Sequence, residues 1–143
     1  MGCGILGRGM SQENVEVIKR VNAALNAGDI EAALQDHVAN ATLRDLANGP
    51  DQASVIEGTD GIREAFTLWT DAFDQLRADI EEFSDAGDAV ICAVRWHGHG
   101  KASGVSIDVR QFDLFEFRDG KIVRVTLGLK SKAEALEAAG LEE

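Results

Sequence analysis

The stretch from Val105 to Phe117 alternates apolar and polar residues, which is the pattern of a β-strand with one face in a protein core. Asp113 falls on the apolar side of this alternation, because alternate strand residues share a face. The strand therefore places a carboxyl group on an otherwise apolar face, whose other members are Val105, Ile107, Val109, Phe115 and Phe117.

Asp113 has two interpretations at this point. If the side chain is buried, loss of hydration raises its pKa, and a carboxyl group that stays protonated near neutral pH can donate a hydrogen bond to a carbonyl oxygen or an oxyanion. If Asp113 instead lies at the rim of the strand, it is solvated or bonded to a neighbour and has a structural role. Strand parity alone leaves both interpretations open.

Length and charge limit the class of protein. The 143 residues fit one domain, which we assign to residues 11–143, with residues 1–10 as a flexible leader. A formal net charge of -11 argues against binding to nucleic acid or to an anionic membrane surface. The two cysteines, Cys3 and Cys92, suggest no disulfide framework, and no segment resembles a secretion signal or a membrane span. We expect a soluble cytoplasmic protein.

The first part of the chain carries helix signals. Ser11 is expected to cap a first helix that stops at Gly28, and Asp29 to cap a second, short helix. The spacing of apolar residues in the second helix puts His37 on its apolar side. A histidine in that position is either a satisfied core residue or a functional group.

A short strand from Ala41 to Leu46 comes next and places Asp45 on the same side as Ala41 and Leu43. Residues 48–58 have no clear period and are interpreted as a loop over the mouth of a pocket. A third helix from Thr59 is predicted by a broad apolar stripe, formed by Ile62, Ala65, Phe66, Trp69, Phe73 and Leu76.

The last part of the chain carries strand signals. One strand follows a turn at residues 85–88, a second begins at Val105, and a third begins at Lys121 after a hairpin turn at Asp119 and Gly120. A capping box at Ser131 predicts a small C-terminal helix, expected on the rim. Helices followed by consecutive hairpins predict the α+β class, with helices on one face of a curved antiparallel sheet.

Trp96 is in phase with apolar strand neighbours and is expected to point inward, either as a cavity wall or as core. His97 and His99 lie two residues apart on the same strand and share a face with each other and with Arg95. Two histidines without an assured third ligand do not make a metal site, so no metal is predicted.

Three segments resemble a known family: residues 28–34 (GDIEAAL), 58–66 (GTDGIREAF) and 117–122 (FRDGKI). Together with the order of elements, they make the chain similar to the nuclear-transport-factor-2-like superfamily, in its SnoaL-like and ketosteroid-isomerase-like branch. The resemblance implies a cone-shaped α+β fold, in which three helices and a curved sheet surround one deep pocket. It also implies a homodimer formed through the sheet.

The resemblance places Asp45 where the steroid isomerases carry the aspartate that moves the proton, and Asp113 where they carry an oxyanion-hole acid. Other positions depart from those enzymes. The chain has no tyrosine, and Val21 stands in place of the tyrosine that donates to the oxyanion. His37 and Phe66 replace two supporting tyrosines. Limonene-epoxide hydrolases of the superfamily need a further acid, which falls on Leu127 here and disfavours that mechanism.

These observations predict a small cofactor-free isomerase or cyclase acting on an apolar carbonyl metabolite. Its catalytic residues would be Asp45 as the proton shuttle, Asp113 as the donor to the enolate oxygen and His37 as the group that tunes the acids. The residues expected to contact the ligand are Trp96, Phe66, Val21, Leu127 and Trp69. The alternative is a non-catalytic ligand-binding or dimeric association module of the same fold, which the missing tyrosine favours.

Overall fold

The structure is a computed structural model that describes residues 2–46, 55–101 and 104–140. Within these ranges the elements are α1 (Gly2–Asn26), α2 (Ile30–Leu34), β1 (His37–Asp45), β2 (Val55–Glu57), α3 (Gly58–Ala72), β3 (Phe73–Ala86), β4 (Ala89–Gly100), β5 (Ser106–Arg118), β6 (Lys121–Leu129) and α4 (Lys132–Ala138).

The strands form one sheet in the order β2-β1-β6-β5-β4-β3. The last four strands along the chain are joined by consecutive hairpins and pair antiparallel; the sequence predicts the last three of them, and β3 is an additional strand. β1 is parallel to β6, because the chain leaves β1 through β2 and α3, enters the sheet again at its far edge and winds back to β6. The predicted α+β cone is confirmed, with one parallel junction in the sheet.

The main core lies between the sheet and the helices α1 and α3, on the face that we call concave. Apolar residues of α1 and α3 meet the inward side chains of the strands there; the most deeply buried members include Ile18, Leu43, Ile62, Cys92 and Ile122. Alternate residues of the strands face inward and form one side of this core. Helix residues that recur with a period of 3.6 form the other side.

A second apolar cluster lies on the opposite, outer face of the sheet. Ala135 of α4 packs there against Ile91 of β4 and Leu114 of β5. The C-terminal helix therefore covers part of the outer face and does not sit on the rim as expected. Its predicted cap is confirmed, since the Glu134 backbone N–H donates to Ser131 Oγ at 3.1 Å.

The start of α1 differs from the sequence prediction. The helix runs through Ser11 and begins at Gly2, so the predicted cap at Ser11 is wrong. Asp29 does cap α2, through the backbone N–H of Ala32. That helix ends at Leu34, and His37 is the first residue of β1, so its predicted place on the helix is wrong as well.

The apolar stripe predicted for the third helix extends too far. α3 ends at Ala72, and the next residue, Phe73, has an extended backbone at φ -127° and begins β3 together with Leu76. The spacing of these residues fits a helix, and neither glycine nor proline marks the boundary. Of the predicted loop at residues 48–58, residues 48–54 lie outside the described residues, and Val55–Glu57 form β2.

A bulge interrupts β6 at Gly128. The pairing of β5 with β6 shifts between Phe112 and Leu114, and Gly128 has φ +87°, a left-handed conformation that glycine adopts without strain. The extra residue sends Leu127 to the concave cluster and Leu129 to the outer cluster, although the two have the same parity in the sequence. The bulge also frees the Gly128 N–H from the strand ladder and turns it toward Asp113.

We expect Gly128→Ala to lower the free energy of unfolding by about 2 kcal/mol, because a Cβ atom is strained at positive φ and the hydrogen bond to Asp113 is disturbed. Urea unfolding measures this loss. Gly120→Ala is the matched control, since Gly120 has a similar φ of +79° with open space around it and therefore reports the strain alone. Equal losses in the two variants would contradict a role of Gly128 in holding Asp113.

Candidate functional site

Asp113 is the most constrained polar residue on the concave face, with a side chain only 1% exposed. Its Oδ1 atom accepts hydrogen bonds from Gln111 Nε2 at 2.8 Å and from the Gly128 backbone N–H at 3.0 Å. Its Oδ2 atom accepts one from Trp96 Nε1 at 3.0 Å. Three donors from three strands therefore hold one buried carboxyl group.

Burial raises the pKa of Asp113 from 3.8 to about 6, while the three donors act against this shift and the nearby charge of Asp45 adds to it. A carboxyl group has about four lone-pair sites, and the donors occupy three of them. The site that is left belongs to Oδ2, and it can carry a proton without displacing any donor. Asp113 also lines a small cavity on the concave face, so a protonated Asp113 can offer that proton to a ligand there.

Two spaces adjoin this carboxyl group. The first, which we call the inner cavity, is small at about 40 Å³ and is lined mainly by apolar and aromatic side chains of α1, α3 and the strands. It contains Asp113 and His37, and also every residue that the sequence predicted to contact a ligand: Trp96, Phe66, Val21, Leu127 and Trp69.

The second space, which we call the outer cleft, measures about 290 Å³ and contains Asp45. Trp69, Trp96 and Leu127 line both spaces, so the two spaces adjoin at these side chains. The hydrogen bond to Asp113 holds the Trp96 indole at this junction. The outer cleft approaches the lower limit of usual ligand pockets, whereas the inner cavity admits only one small end of a ligand.

Asp45 and Asp113 flank β6 on the concave side. Asp45 pairs with Leu127 across the parallel junction, and Asp113 lies on the other side of the Leu127 and Gly128 bulge. Two strand spacings put their Cα atoms roughly 10 Å apart. Asp45 is half-buried, and the structure brings it close enough to Asp113 to affect the pKa of that residue.

His37 lies at the other end of β1. Its side chain is 7% exposed, and no hydrogen bond joins it to either acid. Burial lowers its pKa, which the backbone carbonyl of Ala33 and the charge of Asp36 oppose. No donor or acceptor in hydrogen-bonding geometry reaches the buried Nδ1 atom from the described residues. The histidine is thus a neutral group placed away from the acids that it was expected to tune.

Sequence reasoning missed some of the groups around the acids. Gln111 has the same strand parity as Asp113, so its contact with the carboxyl group was accessible from the alternation. No sequence pattern pointed to Gly128, because its hydrogen bond to Asp113 depends on a bulge in β6. Phe73 and Leu76 were assigned to a helix, but they belong to β3 and line the outer cleft.

His97 and His99 lie away from this site. His97 Nε2 contacts Asp79 Oδ2 at 2.7 Å, and His99 Nδ1 contacts Ser106 Oγ at 2.6 Å, so each has its own partner. Within residues 2–46, 55–101 and 104–140, no group of three or more histidine, cysteine or acidic side chains is arranged to hold a metal ion. None of the helices in that part of the chain has the length and apolarity that crossing a bilayer requires.

The model of the SnoaL-like domain family matches residues 18–125 of the chain. The chain belongs to the SnoaL-like family. The resemblance drawn from the three sequence segments is confirmed. No curated protein matches the sequence of this SnoaL-like chain.

Solved structures share the SnoaL-like fold with this chain. A hypothetical protein with a ketosteroid isomerase-like fold from Catenulispora acidiphila, in complex with trimethylamine, is 21% identical, with a TM-score of 0.71 over 88% of this chain and 93% of that one. A protein described as a SnoaL-like polyketide cyclase from Jannaschia is 20% identical, with a TM-score of 0.70 over 80% of this chain and 83% of that one.

A third structure is the epoxide hydrolase/cyclase-like enzyme SalBIII, which has a role in pyran ring formation in the polyether salinomycin. It is 22% identical, with a TM-score of 0.69 over 80% of this chain and 88% of that one. At these identities the likeness shows the fold, and the chemistry has to be argued from the side chains of this SnoaL-like chain.

Proposed function

We propose that this SnoaL-like protein is a small isomerase or cyclase that moves a proton on an apolar carbonyl compound. The observation that carries the proposal is Asp113: a fully buried carboxyl group with a pKa raised to about 6, three fixed donors and one lone-pair site left for a proton, beside a second acid. Family membership and the cyclase and SalBIII neighbours support this class of reaction.

In the proposed reaction, the Asp45 carboxylate removes a proton from the carbon next to the ligand carbonyl, and the C–H electron pair moves into an enolate. The protonated Asp113 donates a hydrogen bond to the enolate oxygen from Oδ2. Asp45 then returns the same proton to another carbon as the enolate re-forms a carbonyl. Alternatively, the enolate carbon attacks a second carbonyl carbon of the same molecule, the π electrons of that C=O bond move to its oxygen, and Asp45 gives its proton to this alkoxide, which closes a ring. Each path conserves atoms and electrons without a redox partner.

The apolar walls of the two spaces strengthen the hydrogen bond from Asp113 to the enolate oxygen. Most of the groups around the inner cavity and the outer cleft are aliphatic or aromatic, so few polar groups compete for the developing oxyanion. Val21 has no side-chain hydrogen-bond donor, so it cannot replace the tyrosine that donates to the oxyanion in the steroid isomerases. The Trp96 indole N–H, 3.0 Å from Asp113 Oδ2, is the nearest equivalent donor, and it acts through the acid.

The test is deuterium exchange, followed by NMR, at the carbon next to the carbonyl in a panel of cyclic enones and polyketide-like ketones. The wild-type protein is expected to exchange at least one of them faster than buffer does. Asp71→Asn is the control, because Asp71 is exposed on α3 and should leave the rate unchanged. No acceleration with any ketone would contradict the enzyme proposal.

A second candidate is a binding module without catalysis. It is favoured by the small inner cavity, which has about 40 Å³ for a ligand, and by the three donors that give Asp113 a structural part in fixing Trp96. The trimethylamine complex of the Catenulispora protein supports a small-molecule ligand for the fold. Ligand binding without exchange by any ketone would favour this candidate over the enzyme.

The proposal includes a homodimer through the outer face of the sheet. The part of that face outside α4 carries paired charges on β3, β4 and β5: Arg95 binds Asp108 at 2.7 Å, and Arg110 binds Glu81 at 3.1 Å. These pairs leave little uncompensated charge to oppose a second copy. Analytical ultracentrifugation should give twice the chain mass, and a monomer at high concentration would contradict the dimer.

A further inference from the structure

His37 is the one buried polar group of the inner cavity for which the described residues provide no complete set of partners. His37 is 7% exposed and lines the cavity, and none of the described residues forms a hydrogen bond with its buried Nδ1 atom. Leaving a buried polar atom without a partner is costly, and native proteins satisfy nearly all such atoms. The cavity beside His37 is therefore the place to look for a ligand group that serves Nδ1.

The position of His37 fixes where that group would be. His37 pairs with Ile122 and Asp45 with Leu127, and these partners are about 16 Å apart along β6. Asp113 lies beside the Leu127 end. A ligand that meets the acids with its carbonyl therefore approaches His37 with a part of the molecule distant from the reacting carbon.

The chemistry of that part follows from the surroundings of His37. Burial keeps the imidazole neutral, so either ring nitrogen can be the protonated one, and Nδ1 is a donor in one tautomer and an acceptor in the other. A hydroxyl group can serve both tautomers. A carboxylate or phosphate would be buried among apolar walls, and no lysine or arginine of the described residues lines the cavity to neutralise it.

We propose that Nδ1 of His37 binds a hydroxyl group of the substrate in the inner cavity. The inference deepens the proposed function and rests on it, since it names the substrate class as an uncharged hydroxyketone whose carbonyl lies at the acids. His37 is then a specificity-determining residue that contacts the substrate away from the site of proton transfer.

The test compares two probes that differ by one hydroxyl group: benzylacetone and its para-hydroxy derivative. Isothermal titration calorimetry with the full chain is expected to show that the hydroxylated probe binds about tenfold more tightly, the usual effect of one buried hydrogen bond. The same titration followed by heteronuclear NMR should move the His37 Nδ1 resonance with the hydroxylated probe only.

Two variants separate the hydrogen bond from packing. His37→Phe keeps a ring but removes Nδ1, and it should abolish the preference while leaving the affinity for benzylacetone within about twofold. His37→Asn puts an amide near the position of Nδ1 and should restore part of the preference.

Equal affinities in the wild-type protein, a preference that survives in His37→Phe, or an Nδ1 resonance that neither probe moves would each overturn the proposal. The binding comparison requires no turnover, so its outcome is independent of the deuterium-exchange test. Exchange without a hydroxyl preference would leave the enzyme and remove the His37 subsite. A His37-dependent hydroxyl preference without exchange would leave the subsite in a binding module.

Discussion

Asp113→Ala is expected to lower the free energy of unfolding by about 4 kcal/mol, the largest loss from any single substitution considered for this protein. The change leaves three donors, from Trp96, Gln111 and Gly128, without their acceptor in a site that is almost closed to water. Each unsatisfied buried donor costs about 1–3 kcal/mol, and part of that cost is recovered if water enters the space.

Urea unfolding at neutral pH measures the loss, with Asp71→Ala as a control at an exposed position. The control should change stability by less than about 0.5 kcal/mol. A loss below about 1 kcal/mol in Asp113→Ala would show that the three donors find other partners and that the carboxyl group does not organise the site.

Asp113→Asn tests the geometry of the same bonds. The amide oxygen can accept from Gln111 and Gly128, but the amide nitrogen then faces the Trp96 N–H, donor against donor. We expect a loss of about 2 kcal/mol. In a double-mutant cycle with Trp96→Phe, which removes the indole donor, the second substitution should recover part of that loss. Additive losses would contradict the bond between Trp96 and Asp113.

Asp45→Asn is expected to reduce deuterium exchange into an active ketone by at least about 100-fold, because an amide cannot take the proton and general bases contribute roughly 100- to 10,000-fold. Asp45 is half-buried in the outer cleft, so the substitution should change stability by less than about 1 kcal/mol. Initial exchange rates and urea unfolding, measured on the same preparations, separate the two effects.

The control is again Asp71→Asn, which has the same change of charge at a site outside the cleft. If Asp45→Asn exchanges within about threefold of wild type while remaining folded, another group is the base. In that case the correspondence between Asp45 and the proton-moving aspartate of the steroid isomerases does not extend to function.

The sequence was sufficient to place Asp113 on the concave face, because strand parity depends only on a period of two and Asp113 shares its parity with Phe115 and Phe117 of the concave cluster. Parity would put Leu129 on the same face as Leu127, but the bulge at Gly128 changes the face of every later residue and turns Leu129 to the outer cluster. A bulge depends on the pairing of two strands, and one strand read alone does not show it.

His37 illustrates a second limit. Its spacing from Ile30 and Leu34 fits a helix, and local spacing cannot show that the chain turns into β1 after Leu34. The same reason explains Phe73 and Leu76, whose helical spacing continues past the real end of α3. Tertiary pairing decided these boundaries, and with them which side chains reach the inner cavity and which reach the outer cleft.

The raised pKa of Asp113 has a definite effect on stability. The folded protein holds the proton of Asp113 more tightly than the unfolded chain does. The contribution of this proton to the free energy of unfolding is therefore fully present below pH 3.8 and is lost as the pH rises through about 6. Two pKa units correspond to about 3 kcal/mol. Exposed acids paired with arginine, such as Asp108, have lowered pKa values and act in the opposite direction at lower pH, which obscures the effect in a stability profile.

A direct measurement avoids this overlap: a pH titration of the Trp96 indole N–H resonance by heteronuclear NMR. The chain has two tryptophans, and Trp96→Phe assigns the signal. Because this N–H donates to Asp113 Oδ2, its resonance should follow the ionisation of Asp113 and titrate with a midpoint near pH 6. A resonance that does not move between about pH 5 and 7 would contradict the account, since Asp113 would then lack the titratable proton that the proposed chemistry requires.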